Sequence, residues 1–229
     1  YASNPNEVFT WRYEQARAGT GVLGDILSHG FDLAQFLIGH ISSINAVTET
    51  FIKERPLPAG NSSNRFDMGQ ASEEVRQVEN EDYAAVLARF DNGAVGFFET
   101  TRVAVGPHAE YIVEVYGSKG SLRWNFERMN QLELADTGAG YRTIMTPPGF
   151  GEFGRFQPGP GPGIGFNDLK TIEASLFLRS VAEGKQLAPS VGDGWSASAL
   201  VDASVKSAAS GAWVDLPTDI KGTTHDLEL

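Results

Sequence analysis

The sequence contains no cysteine, and this absence excludes several kinds of site at once. Disulfide frameworks, thiolate zinc sites, iron–sulfur clusters and cysteine nucleophiles all require that residue. A chain without cysteine also suits a reducing compartment, so we expect a cytoplasmic protein. With 229 residues, the chain is long enough to bury a full hydrophobic core without such cross-links.

Basic residues are scarce and long hydrophobic runs are missing. Eighteen Lys and Arg stand against 29 Asp and Glu, which gives a net charge of −11. Proteins that bind nucleic-acid phosphates normally show the opposite balance. No apolar run approaches the roughly 20 residues of a membrane helix, and the N-terminus lacks the layout of a signal peptide. We therefore expect a soluble protein that binds neither nucleic acid nor membranes.

The short motifs of several enzyme classes are also absent. There is no Walker A motif and no G-x-S-x-G elbow, so nothing supports phosphoryl transfer or serine hydrolysis. The run GPGPGIG lies in a segment rich in glycine and proline, 147–166, and no strand precedes it. Its prolines cannot donate N–H groups to a phosphate. We predict a loop over 147–166 rather than a nucleotide site, helix or central strand.

Three segments show the apolar spacing and end signals of helices. Apolar residues recur at intervals of three and four over 23–38, and Gly39 stands where a helix-ending glycine belongs. Two more amphipathic helices are predicted over 167–184, capped by Asn167 or Asp168, and over 193–210.

Between the first helix and the last two, the pattern has the period of two that is typical of strands. The clearest signal is a hairpin around the Asp91-Asn92-Gly93 turn. Residues 53–75 show little periodicity and are predicted to be a long surface loop. We predict an α+β fold, with a predominantly antiparallel open sheet, helices on one face and an oligomer interface on the other. The remaining strand candidates are 43–52, 110–117, 121–126, 131–136 and 141–145.

The first helix carries three ionisable residues on one stripe. Asp25 and Asp32 are seven positions apart and nearly eclipse, and His29 lies close to the same line. Burying such groups is costly unless they pair or act chemically. A histidine with a carboxylate one turn away suits a general acid or base. Alternatives stay open, because Asp25 could serve the helix N-terminus, Asp32 could cap a loop, and His29 could be a core histidine or part of a metal site.

Four blocks in this order resemble one known family. They are GTGVLGDILSHGFDLAQFLIG, DYAAVLARFDNGAVGFFETTR, EVYGSKGSLRWNFERMNQLEL and GKQLAPSVGDGWSASALVDASVKSAASGAWVDLP. Together they resemble the C-terminal domain of the glucose–fructose oxidoreductase / inositol dehydrogenase / rhizopine-catabolism (Gfo/Idh/MocA) family. The resemblance extends over nearly the whole chain, from about residue 10 to about residue 216.

The resemblance implies a role for the charged stripe. In the family, a lysine from a preceding Rossmann domain acts with the Asp and His of a D-x-x-x-H helix. That pattern falls on Asp25 and His29, which are thus implied to be catalytic, and the next acidic residue of the family falls on Asp32. The family binds NAD or NADP mainly through the Rossmann domain. This sequence has no G-x-G-x-x-G strand–turn–helix, so we interpret that domain as missing here.

The same resemblance gives the expected organisation. Residues 1–22 form a linker and approach to the active site, and 23–229 form a single substrate-binding and oligomerisation domain. Trp11, Arg12 and His108 are expected, with Asp32, to contact the substrate.

The function that follows is oxidation of a CH–OH group of a sugar or cyclitol, with NAD or NADP as cofactor. The chain alone is expected to be inactive, and the intact protein to be a homo-oligomer, a dimer or tetramer, through the sheet face. Two alternatives remain, a non-catalytic binding or oligomerisation module and a metal-dependent hydrolase built on the Asp/His cluster.

Overall fold

The computed structural model of the chain describes residues 2–60, 71–146, 149, 151–157, 159, 161–187 and 189–217. Two compact units are formed, one by Tyr1–Val105 with Pro189–Leu229 and the other by Gly106–Ala188. Each unit contains its own four-stranded antiparallel sheet. The domain bounds expected from the sequence, 1–22 and 23–229, stay a prediction.

The described elements are named here in chain order. The helices are α1 (Gln15–Ala18), α2 (Ser28–Ile38), α3 (Phe166–Glu183) and α4 (Val191–Ser210), with a π-helical turn at Leu23–Leu27 and 3-10 turns at Trp11–Tyr13, Phe126–Arg128 and Gly151–Phe156. The strands are β1 (Ile41–Glu49), β2 (Glu54–Pro58), β3 (Ala71–Gln77), β4 (Tyr83–Phe90), β5 (Val95–Thr101), β6 (Ile112–Tyr116), β7 (Gly120–Asn125), β8 (Gln131–Asp136), β9 (Arg142–Met145) and β10 (Val214–Asp215).

The sheet of the first unit has the order β10-β1-β4-β5, and each of its pairs is antiparallel. Alternate residues of β1 and β4 point to one face, where Ile44, Ala46, Ala84, Val86 and Ala88 are buried. This face packs against the π-helical turn, α2 and α4, and the apolar residues of all three join one core. The alternation that predicts these strands in the sequence therefore also marks the face that carries the helices.

The second unit has a meander, β6-β7-β8-β9, in which each strand pairs with the next. Tight turns explain this order, because antiparallel neighbours need only a few connecting residues. The α+β class and the antiparallel pairing are confirmed, and the described strands are distributed over three sheets.

The predicted helices are confirmed with small differences at their ends. The stretch over 23–38 is helical, but its first turn is π-helical rather than α-helical. The helix predicted from 167 begins at Phe166, and Asp168 stabilises its start by accepting the Gly165 N–H at 2.8 Å. The N-cap is therefore Gly165 rather than Asn167 or Asp168.

Two loop predictions need correction. Residues 53–75 are not simply a loop, because β2 and β3 pair there as a two-stranded ribbon, and 61–70 of that prediction lie outside the described residues. The sequence does not reveal this ribbon, because β2 contains prolines, which normally argue against a strand, and β3 is almost wholly exposed and lacks an apolar face. Prolines are nevertheless tolerated at a strand edge. Within 147–166, Gly151–Phe156 form a 3-10 turn, while 147, 148, 150, 158 and 160 are not described. None of the described helices is long and apolar enough to cross a membrane.

Candidate functional site

The candidate site begins at the π-helical turn that carries Asp25. In this turn the N–H of Ser28 reaches the carbonyls of both Ile26 and Leu23. Single π-helical turns are rare in proteins. Those that do occur are often found at functional sites. The local backbone thus departs from regular α-helix at the position of the first candidate carboxylate.

Asp25 is paired with Arg12, thirteen residues earlier in the chain. Arg12 Nη1 donates to Asp25 Oδ1 at 2.9 Å, and the two side chains are 23% and 29% exposed. The guanidinium of Arg12 also lies over the ring of Trp11, 4.8 Å from its centroid. A charge-assisted hydrogen bond of this kind holds the carboxylate in one orientation. The structure therefore brings together Trp11, Arg12 and Asp25, three of the residues singled out in the sequence.

His29 and Asp32 lie on an open cleft between α2 and the start of α4. The cleft has a volume of about 410 Å³, and hydroxyl and carboxylate side chains are prominent in its lining, among them Ser28, Ser190, Asp193 and Ser198. His29 is exposed and Asp32 is half-buried. Hydroxyls, carboxylates and an imidazole can all hydrogen-bond to the hydroxyl groups of a small polar molecule.

The charged stripe lies on the accessible side of this helix, and His29 is therefore not a core histidine. Over 23–38, all of which is described, the side chains that are buried are Leu23, Leu27 and Phe31. These three face the core, while Asp25, His29 and Asp32 keep access to solvent. The three ionisable groups thus avoid the penalty of full burial because their side of the helix is open.

The wall of the cleft opposite α2 is held by a helix cap. Ser190 Oγ accepts the N–H of Asp193 at 3.2 Å and donates to Asp193 Oδ2 at 2.7 Å. Asp193 in turn accepts the N–H of Ser190, which completes a capping box at the start of α4. The Ser-x-x-Asp pattern is the signal that would have moved the predicted start of this helix from 193 to its observed position at Val191.

Asn80 and Glu81, which no sequence pattern singles out, bind the backbone near Arg12 and just before Asp25. Asn80 Nδ2 donates to the carbonyl of Arg12 at 2.7 Å and to that of Thr20 at 3.2 Å. Glu81 Oε1 accepts the N–H of Gly21 at 2.7 Å and that of Leu23 at 3.0 Å. These contacts join positions about sixty residues apart, so no local pattern reveals them.

A buried ionic network supports Asn80. Arg102 Nε donates to Asp82 Oδ1 at 2.7 Å, and both side chains are almost fully buried. Arg102 Nη2 donates to Asn80 Oδ1 at 2.9 Å. Two guanidinium groups lie over the ring of Tyr13, with Cζ of Arg102 4.8 Å and Cζ of Arg55 4.5 Å from its centroid, and burial raises the pKa of the Tyr13 hydroxyl.

His108, the remaining candidate, belongs to the other compact unit. It is exposed in the loop before β6. Its backbone N–H and that of Ala109 donate to Glu127 Oε1 at 3.0 and 2.9 Å. These two hydrogen bonds, that of Ala109 first, lower the pKa of the Glu127 carboxyl.

The residues that the structure describes contain neither a metal-ligand cluster nor a parallel-stranded dinucleotide-binding unit. They contain no group of three or more His, Cys, Asp and Glu side chains placed to hold a metal ion. Their strand pairs are all antiparallel, whereas a dinucleotide-binding unit is built from parallel strands joined by a helix. The described residues on their own do not fit NAD, and the chemistry that they offer is proton transfer and hydrogen bonding to hydroxyls.

Comparison with known proteins gives a consistent set of relatives. The family model described as GFO/IDH/MocA C-terminal domain matches residues 1–123. The chain is 37% identical over 222 residues to levoglucosan dehydrogenase of Pseudarthrobacter phenanthrenivorans, an alignment that covers 95% of this chain and 57% of that protein. It is 27% identical over 190 residues to inositol 2-dehydrogenase of Rhizobium meliloti, covering 82% of this chain and 48% of that one.

Solved structures agree. A levoglucosan dehydrogenase in complex with NADH and levoglucosan matches with a TM-score of 0.83 at 37% identity, over 95% of this chain and 56% of that chain. The chain thus spans about half the length of the relatives that it matches.

Proposed function

The chain belongs to the GFO/IDH/MocA family, and we propose on that premise that it is the substrate-binding part of an NAD(P)-dependent oxidoreductase acting on a CH–OH group of a sugar or cyclitol. One observation carries the proposal. His29 and Asp32 line one polar cleft, and Asp25, one helical turn before His29, is held by Arg12.

In the proposed reaction His29 is the general base. As the C–H bond of the carbinol breaks, its electron pair leaves as hydride and the hydroxyl proton passes to the His29 imidazole, so that a carbonyl forms. Histidine suits this task because its usual pKa is near neutral. Asp25, fixed by Arg12, orients His29 or the substrate, and Asp32 hydrogen-bonds to substrate hydroxyls.

NAD or NADP supplies the hydride acceptor in this proposal. Because the described residues do not fit a dinucleotide, we assign its binding mainly to a nucleotide domain outside this chain. The chain by itself is then expected to show neither NAD binding nor turnover, which titration calorimetry with NAD and NADP tests.

A carbohydrate-like substrate is supported by two facts. The cleft presents the hydroxyl oxygens of Ser28, Ser190 and Ser198 and two carboxylates, all of which can accept hydrogen bonds from vicinal hydroxyls. Relatives named for levoglucosan and inositol act on polyhydroxylated compounds of this class. Trp11 and His108 are proposed as further substrate contacts.

A cytoplasmic location is also proposed, and the absence of cysteine supports it.

We also propose that the protein is a homo-oligomer, a dimer or tetramer, through the sheet of the first unit. The face of β1, β4 and β5 opposite the helices exposes Val47, Leu87, Val95 and Phe97, which are 63%, 45%, 76% and 61% exposed. A cluster of large apolar side chains on one sheet face is typical of an interaction surface.

The function is tested by replacing His29 with alanine in the full-length protein. Loss of the general base is expected to lower kcat by about 10²-fold or more. The affinity for the nucleotide and the thermal unfolding midpoint stay unchanged, because the side chain is exposed. Turnover is measured by the nicotinamide absorbance with a panel of polyols and both nucleotides.

The matched control is His40→Asn. His40 lies just after α2, where its Nδ1 is 3.2 Å from Gln35 Oε1, and an asparagine can occupy that contact. It is expected to leave kcat unchanged. A His29→Ala enzyme with normal turnover contradicts the proposed role. A full-length protein without any dehydrogenase activity favours the binding-module alternative instead.

A further inference from the structure

We propose that Asn80 and Glu81, in the connection between β3 and β4, are positioning residues for the Arg12–Asp25 pair. This inference rests on the proposed function, since it assigns Asp25 a part in the reaction. Neither side chain reaches the cleft lined by His29 and Asp32. Both act by holding the backbone on either side of the pair.

Glu81 accepts hydrogen bonds from the backbone N–H groups of the segment just before Asp25. Its carboxylate accepts from Gly21 and Leu23, and its own carbonyl accepts from Val22 at 3.2 Å. Three successive N–H groups at the start of the helix therefore end on one residue of another element. A helix leaves its first N–H groups without internal partners, and a carboxylate there also complements the helix dipole.

Gly21 shows how closely the two segments approach. A Cβ at this position would lie 1.9 Å from the carbonyl oxygen of Glu81. Any larger residue would push the start of the π-helical turn away from Glu81. The contact thus depends on glycine at 21, and Asp25 follows only four residues later.

Asn80 donates hydrogen bonds to backbone carbonyls of the same region. Its Nδ2 donates to Arg12 O and Thr20 O, so one amide group joins the segment that carries Arg12 to the segment that leads to Asp25. The side chain is only 4% exposed. The segments that lead to the two partners of the Arg12–Asp25 ion pair are therefore joined at one side chain.

The orientation of the Asn80 amide is set by the buried network behind it. Arg102 donates to Oδ1 and leaves Nδ2 to face the two carbonyls. Arg102 has no acceptor, so the amide cannot be reversed without placing donor against donor. The ion pair of Arg102 with Asp82 keeps this guanidinium in place.

The expected consequence is an effect on kcat rather than on KM. A displacement of about 1 Å at a reacting group can cost about 10²-fold in rate, whereas the contacts that the cleft of His29 and Asp32 offers to the substrate are unaffected. Loss of the hydrogen bonds that Asn80 or Glu81 makes with the backbone should therefore lower kcat, while the KM for substrate and nucleotide changes little.

Four variants of the full-length protein test this inference. Glu81→Ala removes the acceptor of two N–H groups, and Glu81→Gln keeps an acceptor at the same place. Asn80→Asp preserves the acceptor for Arg102 but turns an oxygen toward the carbonyls of Arg12 and Thr20. Asn130→Asp is the matched control, because Asn130 clamps a backbone segment of the second unit in the same way, with 2.9 Å contacts to both Ile164 O and Ile164 N.

The expected kinetic result is a fall in kcat of about 10- to 100-fold for Glu81→Ala and Asn80→Asp, with KM nearly unchanged. Glu81→Gln retains most of the wild-type kcat, and Asn130→Asp retains all of it. Equal losses for Glu81→Gln and Glu81→Ala, or a loss confined to KM, would overturn the inference.

A crystal structure of Asn80→Asp provides a readout that does not need activity. The separation of Arg12 Nη1 and Asp25 Oδ1 is expected to lengthen from 2.9 Å to beyond hydrogen-bond distance. An unchanged pair refutes the positioning role even if the proposed dehydrogenase activity is absent. Conversely, a full-length protein without dehydrogenase activity, in which Asn80→Asp still displaces the pair, refutes the proposed function alone. If Glu81→Ala does not fold, Asn80→Asp, which preserves side-chain volume, decides.

Discussion

Gly21 is the residue whose replacement has the most direct steric consequence. Alanine there would place a Cβ 1.9 Å from Glu81 O, a backbone atom that cannot move aside as a side-chain end can. We expect Gly21→Ala to destabilise the protein by about 1–3 kcal/mol, the usual cost of overpacking, and to lower kcat because Asp25 follows in the displaced turn. Urea unfolding and steady-state kinetics measure the two effects.

Gly140→Ala is the control for this prediction. Gly140 lies between β8 and β9, and a Cβ there would meet no atom within 4 Å. The change is expected to leave both stability and kcat unaltered. If Gly21→Ala behaves like Gly140→Ala, the close approach of Gly21 to Glu81 is not a constraint in solution.

Single residues of the site differ in how far the sequence reveals them. The D-x-x-x-H spacing places Asp25 and His29 on one helix face, because that needs only the helical period. Arg12 is identified as a site residue, but its pairing with Asp25 depends on how the chain folds back. Asn80 and Glu81 give no signal, since their partners lie about sixty positions away.

At the scale of elements, periodicity predicts those that are amphipathic and misses those that are not. The β4–β5 hairpin and α2 bury one face each, so the pattern shows in the sequence. The β2–β3 ribbon has two prolines on one strand and an almost wholly exposed partner strand. Its pairing rests on backbone hydrogen bonds and on buried Arg55, neither of which produces an alternating apolar pattern.

The loop before β6 carries a pH-dependent contact. The N–H groups of Ala109 and His108 lower the pKa of Glu127 in the folded state. A carboxyl with a lowered pKa contributes stability that is fully present above its unfolded-state pKa, about 4.3, and is lost as the pH falls through the lower folded-state pKa. We expect the loop to loosen as the pH falls through this lowered pKa and Glu127→Gln to remove the dependence.

Amide NMR tests this prediction. The 15N–1H resonances of His108 and Ala109 should shift together as Glu127 is protonated, with a midpoint below the ordinary glutamate value. In Glu127→Gln both amides should be insensitive to pH in this range. If both amides show the same pH-dependent shifts in Glu127→Gln as in the wild type, the shifts come from another titrating group.

At the scale of the whole molecule, the exposed sheet face of the first unit is the surface through which we propose that the protein assembles. Leu87 and Phe97 are directly cross-strand neighbours on that face. A buried charge within an apolar interface is costly, so we expect Phe97→Glu to dissociate the oligomer. Analytical ultracentrifugation measures the change in mass.

Val105→Glu is the corresponding control, because Val105 is 88% exposed but lies outside the strands. It should leave the mass unchanged. A Phe97→Glu protein with the mass of the wild type places the interface elsewhere.

The two guanidinium groups around Tyr13 determine how far the chain can be shortened. Arg55 is wholly enclosed, and its Nη atoms donate to the carbonyls of Ala2 and Asn4. Removing the partners of an enclosed charge costs about 3–5 kcal/mol, a large part of the 5–15 kcal/mol that holds a typical domain together. The segment from Ala2 to Tyr13 therefore covers Arg55 and supplies acceptors for its guanidinium, and a chain that began after this segment would lack both.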